Sequence, residues 1–277
     1  MTRLLSLAHL TAIDLSPPDL IHEAARAGFD AAGLRLIRVT DTSPGYPLMR
    51  NPKLMKETKA AIRETGLLVH DIEFVKIEPN TDIDALLPFL DAGAELGARE
   101  VITAPYDPDL SRLADRLAAL DERARDRGLG VSLEFFPWTV VPDLEAALSV
   151  VTEAGPNIGI LVDSLHFDRS SSSHRLLADL PRDRLRFAHL CDAPVSPPYS
   201  SEDLLFAGRD ERLPPGEGQI DLVSFLSLLP RDLPLGLEVP MTRRTKEEGN
   251  RAVIQAAFAG AKHVLSDLSE KAHDLRE

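Results

Sequence analysis

The chain repeats one pattern along its length: a short apolar run, a loop, and then a stretch with apolar residues at helical spacing. Such alternation of strands and helices predicts parallel strands that are joined by crossover helices. We predict eight strands, at residues 4–10, 32–39, 67–77, 100–105, 130–136, 158–165, 185–191 and 235–239. Eight such units in 277 residues favour a closed α/β fold, the (β/α)8 or TIM barrel, which usually takes about 250 residues.

The predicted helices lie between these strands, at residues 19–27, 53–65, 83–96, 110–127, 142–154 and 222–229. Glycine, the residue best suited to a left-handed helix cap, follows five of them, at Gly28, Gly66, Gly97, Gly128 and Gly155. An open doubly wound sheet is the alternative fold, but no G-x-G-x-x-G motif follows the first strand, which argues against a dinucleotide-binding protein. We therefore expect a single TIM-barrel domain over residues 1–277.

The charge and the cysteine content exclude several classes of protein. The formal net charge is −13, and an acidic surface of this kind repels the phosphates of nucleic acids. No run of about 18 apolar residues is present, so no membrane span is predicted. The single cysteine, Cys191, cannot form an internal disulfide and fits a reducing compartment. We expect a cytoplasmic enzyme with a small-molecule substrate, and no nucleic acid or membrane as a partner.

Two segments interrupt the alternation, residues 40–51 and residues 192–219. Both contain proline and glycine, and unstructured insertions of this length in a compact domain usually serve as lids or binding loops. Each segment follows a predicted strand. Both would therefore lie at the C-terminal face of the barrel, where enzymes of this fold place their active sites.

Four ionisable residues stand at the C-terminal ends of predicted strands, namely Glu134, Asp163, His189 and Glu238. Each follows apolar residues, and three buried carboxylates that face one another are costly unless a cation neutralises them. Any one of them could instead pair with an arginine or cap a helix, but four at one end of the barrel favour a shared divalent metal ion. Mn²⁺ is our first choice because carboxylates favour the harder ions; Mg²⁺, Co²⁺ and Zn²⁺ accept the same ligands.

The motifs around these residues are L-E-F-F-P, V-D-S-L-H, F-A-H-L-C-D and L-E-V-P. They resemble those of the sugar isomerase/epimerase superfamily of xylose isomerase-like barrels, including the ketose 3-epimerases, and the strand order agrees over essentially the whole chain. The resemblance implies that Glu134, Asp163, His189 and Glu238 hold one metal ion. It also implies an isomerase or epimerase that acts on a small sugar or sugar-like hydroxy-ketone through an enediolate. Glu134 and Glu238 would then be the catalytic acid and base.

The same resemblance implies substrate contacts at two further positions. His166 stands three residues after Asp163, in the D-x-x-H pairing whose histidine contacts the substrate in the ketose epimerases. Arg212 occupies the arginine position of an R-x-x-P-G-x-G loop, here R-L-P-P-G-E-G. A guanidinium suits this role because it presents a rigid fork of donors to substrate oxygens. Relatives often form dimers or tetramers, so the resemblance also allows a homo-oligomer.

Charged residues near the ends of the second and third strands are further substrate-binding candidates: Arg35, Glu73 and Lys76, with Arg38 nearby. Their cations could bind a carboxylate or phosphate, and the alternative is a Glu–Arg salt bridge that closes the barrel rim. A carboxylated substrate would suit a metal-dependent lyase of the 3-dehydroshikimate dehydratase type, which is our alternative function. A repair nuclease of the endonuclease IV type would need additional metal ligands, and the acidic charge argues against it.

Overall fold

The computed structural model describes residues 3–40 and 42–274, and its strands close into one barrel. Each strand pairs in parallel with the next, and the last returns to the first, with Leu235 in register with Leu5. The strands are β1 (Leu5–Leu7), β2 (Ala31–Arg35), β3 (Leu68–Ile77), β4 (Glu100–Pro105), β5 (Gly130–Glu134), β6 (Gly159–Asp163), β7 (Leu185–Leu190) and β8 (Leu235–Leu237). The predicted TIM barrel is therefore confirmed.

The helices follow the strands in the order that the barrel requires. Within the described residues they are α1 (Pro17–Ala27), α2 (Pro52–Thr65), α3 (Leu87–Leu96), α4 (Leu110–Arg125), α5 (Leu144–Ala154), α6 (Ser164–Asp168), α7 (His174–Asp179), α8 (Ser201–Arg209), α9 (Leu222–Leu228), α10 (Thr242–Glu248) and α11 (Asn250–Asp274). In α4, for example, Leu113, Leu117 and Leu120 recur at helical spacing and are buried. None of the helices in the described ranges is long and apolar enough to cross a membrane.

The glycine caps are confirmed for the first three helices. Gly28, Gly66 and Gly97 follow α1, α2 and α3 directly and adopt left-handed backbone conformations. At the other two positions the prediction is confirmed in part. Gly128 is left-handed, with a φ of 74°, but α4 already ends at Arg125 with Asp126 as its cap, and Gly155 follows α5 directly but is nearly extended in ψ, at 172°.

The prediction that residues 192–219 form an unstructured loop is wrong in one respect, because this segment contains helix α8. Ser200 and Asp203 form a capping box in which each side chain accepts a hydrogen bond from the backbone N–H of the other residue. Two N-terminal backbone donors are thereby satisfied, which stabilises a helix that follows directly on a proline-rich segment. The segment at residues 40–51 is mostly irregular where it is described, with a short 3-10 helix at Leu48–Arg50.

The C-terminal helices were not predicted from the sequence. Helix α11 follows α10 and contacts α1 and α9, and it buries Val253, Ile254 and Ala257 against the barrel. The first strand is also shorter than predicted, because a 3-10 helix at His9–Ala12 turns the chain after Leu7. The second strand also ends early, at Arg35 instead of residue 39, whereas β5 to β8 end within two residues of the predicted positions.

Candidate metal centre

Four consecutive strands bring Glu134, Asp163, His189 and Glu238 to one end of the barrel. Glu134 and Asp163 are the last residues of β5 and β6, His189 is the last but one of β7, and Glu238 follows β8 directly. Asp163 and His189 are in register across β6 and β7. All four residues are at most 5% exposed. The predicted cluster is therefore present as a buried group.

The spacing of these side chains is that of donors that converge on one ion. His189 Nδ1 lies 3.7 Å from Glu238 Oε2, 3.8 Å from Asp163 Oδ2 and 3.9 Å from Glu134 Oε1. One ligand atom from each of the four residues lies within 4.8 Å of the other three. In the described part of the chain, Glu134 Oε1 and both ring nitrogens of His189 have no hydrogen-bond partner. Because unsatisfied buried polar atoms are costly, the donor set fits a divalent cation.

The ionisation of the cluster is strongly perturbed without an ion. Burial, and then the neighbouring carboxylate of Glu238, raise the pKa of Glu134 well above its ordinary value. Burial would lower the pKa of His189, but the carboxylates around it, first that of Glu238, raise it to about 10. Burial opposes ionisation of Asp163 and Glu238, yet the guanidinium of Arg212 lowers the pKa of both. A single guanidinium thus faces three carboxylates, which leaves a shortage of positive charge.

Arg212 lies inside this cluster, where its guanidinium bonds two of the candidate metal ligands. Its Nη1 donates to Asp163 Oδ2 at 2.7 Å, and its Nη2 lies 2.9 Å from Glu238 Oε2. The remaining donors reach backbone carbonyls of Ala207, Gly208 and Glu238. Arg212 is only 2% exposed. Its donors are largely used by the protein, so it orients the carboxylates and also ties the C-terminal end of α8 to the centre.

The loop that carries Arg212 is held by Asp192, a contact that sequence analysis missed. The Asp192 carboxylate accepts hydrogen bonds from the backbone N–H groups of Gly216, Gly218 and Ile220, each at 3.0 Å. A Cβ atom at Gly218 would lie 2.3 Å from Asp192 Oδ1, so this close approach requires glycine. The motif P-P-G-E-G is therefore explained in part by Asp192, which fixes the course of the loop next to Arg212.

Two further residues position the candidate metal ligands, and sequence analysis missed them as well. Thr11 Oγ1 donates to Leu237 O at 2.7 Å and accepts from Val239 N at 2.9 Å, so it holds the backbone on either side of Glu238. Gly236 leaves room for the imidazole of His189, since a Cβ atom there would lie 2.6 Å from Cδ2 of the ring. The glycine in L-G-L-E was the only sign of these contacts in the sequence. Its role depends on His189, which lies on the neighbouring strand β7.

We expect Gly236→Ala to weaken metal binding about 10- to 100-fold, since the added methyl group must displace the His189 ring and misoriented ligands lose affinity by that order. Isothermal titration with Mn²⁺ measures the change. Gly97→Ala is the matched control, because nothing lies near its Cβ but its φ of 74° strains alanine. The control should lose about 1–2 kcal/mol of stability and keep its metal affinity. Equal metal affinity in both variants would contradict this role of Gly236.

Glu134 and Glu238 also line a cavity of about 420 Å³. Its walls include the aromatic side chains of Phe74, Tyr106 and Trp138. Helix α8 contributes Gly208, which touches the Trp138 ring so closely that a Cβ atom would lie 2.5 Å from Cη2. A buried metal centre therefore opens into a space large enough for a small organic molecule, with α8 along one side.

His166 lies beside the metal centre, with Nε2 at 3.7 Å from Glu134 Oε1. Its ring packs edge-on against Phe136 and Trp138, at centroid distances of 4.8 Å and 5.2 Å. Burial lowers the pKa of His166 to about 4, and in the described part of the chain neither ring nitrogen has a hydrogen-bond partner. A neutral imidazole with both nitrogens available can donate one hydrogen bond and accept another.

The other predicted substrate-binding residues do not form one cluster, because Arg35 and Glu73 contact each other and Lys76 lies apart from them. Arg35 lines the cavity and pairs with Glu73, whose Oε2 lies 3.1 Å from its Nη2. The pair is buried, so the predicted salt bridge at the barrel rim is present. Lys76 instead lies over the Tyr106 ring, 4.9 Å from its centroid, and lines a neighbouring depression together with Arg38. This depression shares Val39, Thr40 and Phe74 with the cavity.

Curated relatives match about half of the chain. The 3-dehydroshikimate dehydratase of Pseudomonas aeruginosa is 34% identical over 149 residues, which cover 53% of this chain and 22% of that protein. An inosose isomerase of Bacillus velezensis is 28% identical over 145 residues, which cover 48% of this chain and 50% of that protein. The matched segment thus spans half or less of these relatives' own length.

Solved structures share the fold over nearly the whole chain. An IOLI protein with a bound zinc atom gives a TM-score of 0.80 at 20% identity, over 95% of this chain and 98% of that one. A D-allulose 3-epimerase from Methylomonas sp. gives a TM-score of 0.69 at 17% identity, over 95% and 98%. The family model described as xylose isomerase-like TIM barrel matches residues 21–259. The chain therefore belongs to the xylose isomerase-like TIM barrel family.

Proposed function

We propose that this protein is a divalent-metal-dependent isomerase or epimerase of a small polyhydroxylated ketone. One observation carries the proposal. Two carboxylates of the four-residue cluster, Glu134 and Glu238, are buried and also line the cavity. The same two side chains could therefore hold an ion and reach a carbon-bound hydrogen of a molecule in the cavity.

The ion would be held by Glu134, Asp163, His189 and Glu238. When bound there, a divalent cation supplies Lewis-acid stabilisation for negative charge that develops on substrate oxygens. We retain Mn²⁺ as the first candidate for this site, with Mg²⁺, Co²⁺ and Zn²⁺ as the others. The carboxylate-rich ligand set supports the choice, and the IOLI protein, which has the same fold, binds a zinc atom, so a divalent ion is compatible with this fold.

The chain's own residues would move the proton. One of the two cavity carboxylates, Glu134 or Glu238, removes a proton from the carbon next to the carbonyl, which gives an enediolate. For epimerisation the other side chain, in its carboxylic acid form, gives a proton to the same carbon on the opposite face, whereas for isomerisation the proton is delivered to the neighbouring carbon. This work requires a carboxylate within hydrogen-bond reach and a pKa that its surroundings can tune.

Other residues around the cavity would orient the substrate. Arg212 keeps the Asp163 and Glu238 carboxylates in place, as its bonds to both show. The neutral His166 beside Glu134 suits a hydroxyl group, which both donates and accepts hydrogen bonds. Phe136 and Trp138 offer an apolar surface for the carbon-bound hydrogens of a sugar.

A dehydratase is the second candidate function. The observation in its favour is the match of 34% identity to a protein named 3-dehydroshikimate dehydratase. Such an enzyme would use the same metal centre and the same first proton abstraction, and then expel water from the adjacent carbon. The two candidates therefore differ in the fate of the enediolate and in the charge of the substrate.

Deuterium exchange separates the two functions. We expect the Mn²⁺-loaded protein in D₂O to incorporate deuterium next to the carbonyl of a ketose or an inosose, without loss of water, as NMR spectroscopy would show. Glu134→Gln should lose the exchange, because a cavity carboxylate is removed. Loss of water, seen as a new conjugated chromophore, would instead support the dehydratase. Absence of both reactions over a panel of ketoses and cyclic keto acids would contradict the proposed function.

A further inference from the structure

The charges around the cavity indicate what kind of molecule it takes. A buried anion needs positive charge that is not already matched by protein carboxylates. Among the described residues that line the cavity, the arginines are Arg35, Arg209 and Arg212. The partners of these three cations therefore decide whether a carboxylate or phosphate group can be bound.

The positive charge of Arg35 is already balanced by the carboxylate of Glu73. Its guanidinium is 6% exposed and pairs with the Glu73 carboxylate at 3.1 Å. The Arg35 backbone N–H also donates to His9 Nδ1 at 2.8 Å, and the guanidinium lies over the Phe74 ring, 5.7 Å from its centroid. In the described part of the chain, Arg35 Nε and Glu73 Oε1 have no hydrogen-bond partner, so the pair can still bond a hydroxyl group. An anion that approached Arg35 would instead meet the negative charge of Glu73.

Arg212 is matched in the same way at the metal centre. It bonds Asp163 and Glu238, while Glu134 completes a set of three carboxylates. A divalent cation at this site would add two positive charges, so that the cation, Arg212 and the three carboxylates cancel. This end of the cavity therefore also has no surplus positive charge for an anionic substituent.

Among the described residues, the rest of the lining carries no charge except at the mouth. Thr40, Ser43 and Tyr106 contribute hydroxyl groups, which bind sugar hydroxyls well. Arg209 is exposed at the C-terminal end of α8, and its neighbour Asp210, of opposite charge, lines the same mouth. Solvent and this aspartate both weaken the attraction of Arg209 for an anion.

We infer that the substrate is an uncharged polyhydroxylated ketone, and that the buried Arg35–Glu73 pair discriminates against carboxylated and phosphorylated analogues. This inference rests on the proposed function, which it sharpens by naming the charge of the substrate. It also opposes the dehydratase, because that reaction would require a carboxylated ring. Glu73 acts as a specificity residue, because its negative charge repels anionic ligands that the cavity is large enough to hold.

Calorimetric binding to the Mn²⁺-loaded protein tests the inference with two matched pairs of ligands. The pairs are an inosose against 3-dehydroshikimate, and fructose against fructose 6-phosphate. We expect the uncharged member of each pair to bind at least about 10-fold more tightly. Glu73→Gln, which frees the charge of Arg35, should raise the ratio of the affinity for 3-dehydroshikimate to the affinity for the inosose about 10-fold. Glu78→Gln, the same change at an exposed position, should alter neither affinity.

Tighter binding of the charged members by the unmodified protein would overturn the inference, with or without the variants. So would anion binding that Arg209→Gln abolishes, since it would place an anion site at the mouth. Preference for uncharged ligands without deuterium exchange would leave the inference intact and contradict the proposed function. The two claims can therefore fail separately.

Discussion

Glu238→Gln is expected to abolish turnover and to weaken Mn²⁺ binding by at least about 100-fold. The Glu238 carboxylate is a candidate metal ligand, lies 2.9 Å from Arg212 Nη2 and lines the cavity. Glutamine therefore removes a negative charge that would serve the metal ion, the ion pair with Arg212 and proton transfer. Loss of an outer partner of a metal ligand alone costs 10- to 100-fold in affinity, and loss of an acid–base group costs about 10²–10⁴-fold in rate. Titration with Mn²⁺ and the deuterium exchange assay measure the two effects.

Glu247→Gln is the matched control, because Glu247 is exposed on α10 and belongs neither to the four-residue cluster nor to the lining of the cavity. It should leave metal affinity and exchange unchanged. Full activity of Glu238→Gln after exhaustive chelation would contradict both roles assigned to Glu238. Normal exchange with weakened metal binding would contradict the acid–base role alone.

Removal of the Arg212 charge is expected to destabilise the metal-free protein by about 3–5 kcal/mol, the usual cost of removing one partner from a buried ion pair. In Arg212→Met, the buried carboxylates of Asp163, Glu134 and Glu238 would face one another without their guanidinium. Mn²⁺ should then restore much of the lost stability, because the cation replaces the missing positive charge. The gain in stability on adding Mn²⁺ should thus be larger in the variant than in the unmodified protein.

Thermal or denaturant unfolding with EDTA and with Mn²⁺ measures this difference. Arg182→Met is the control, because Arg182 pairs with Asp232 at the surface and both side chains are more than half exposed. Its stability should change by no more than about 0.5–1 kcal/mol. If Arg212→Met without metal were as stable as the unmodified protein, Arg212 would not balance the cluster.

The barrel and its four candidate ligands could be predicted because both depend on local patterns. A continuous apolar run followed by a charged residue identifies a strand end, and parallel strands place all such ends on one face. Glu134, Asp163, His189 and Glu238 stand within one position of the observed strand ends. No knowledge of distant contacts was needed for this step.

The supporting residues could not be predicted, because their roles depend on contacts between segments far apart in sequence. Thr11 acts on the backbone beside Glu238, 228 residues away at Val239, and Asp192 acts on a loop up to 28 residues away. Arg212 was predicted as a substrate ligand, and the structure shows its guanidinium bonded to Asp163 instead of exposed on a loop. Its predicted contact with substrate remains a prediction.

The Arg35–Glu73 pair shows a different limit of sequence analysis. Either a free cationic cluster or a salt bridge was consistent with charged residues at two strand ends. Only the distance of 3.1 Å between Arg35 Nη2 and Glu73 Oε2 decides between them. The charge that we infer for the substrate depends on that distance, and composition contains no information about it.

The central claim is that Glu134, Asp163, His189 and Glu238 hold one divalent cation. An anomalous-scattering map from crystals soaked in Mn²⁺ tests it most directly. The account predicts a single strong peak among these four side chains, coordinated by at least one atom of each. A map without a peak there, in crystals where the four side chains point away from one another, would contradict it.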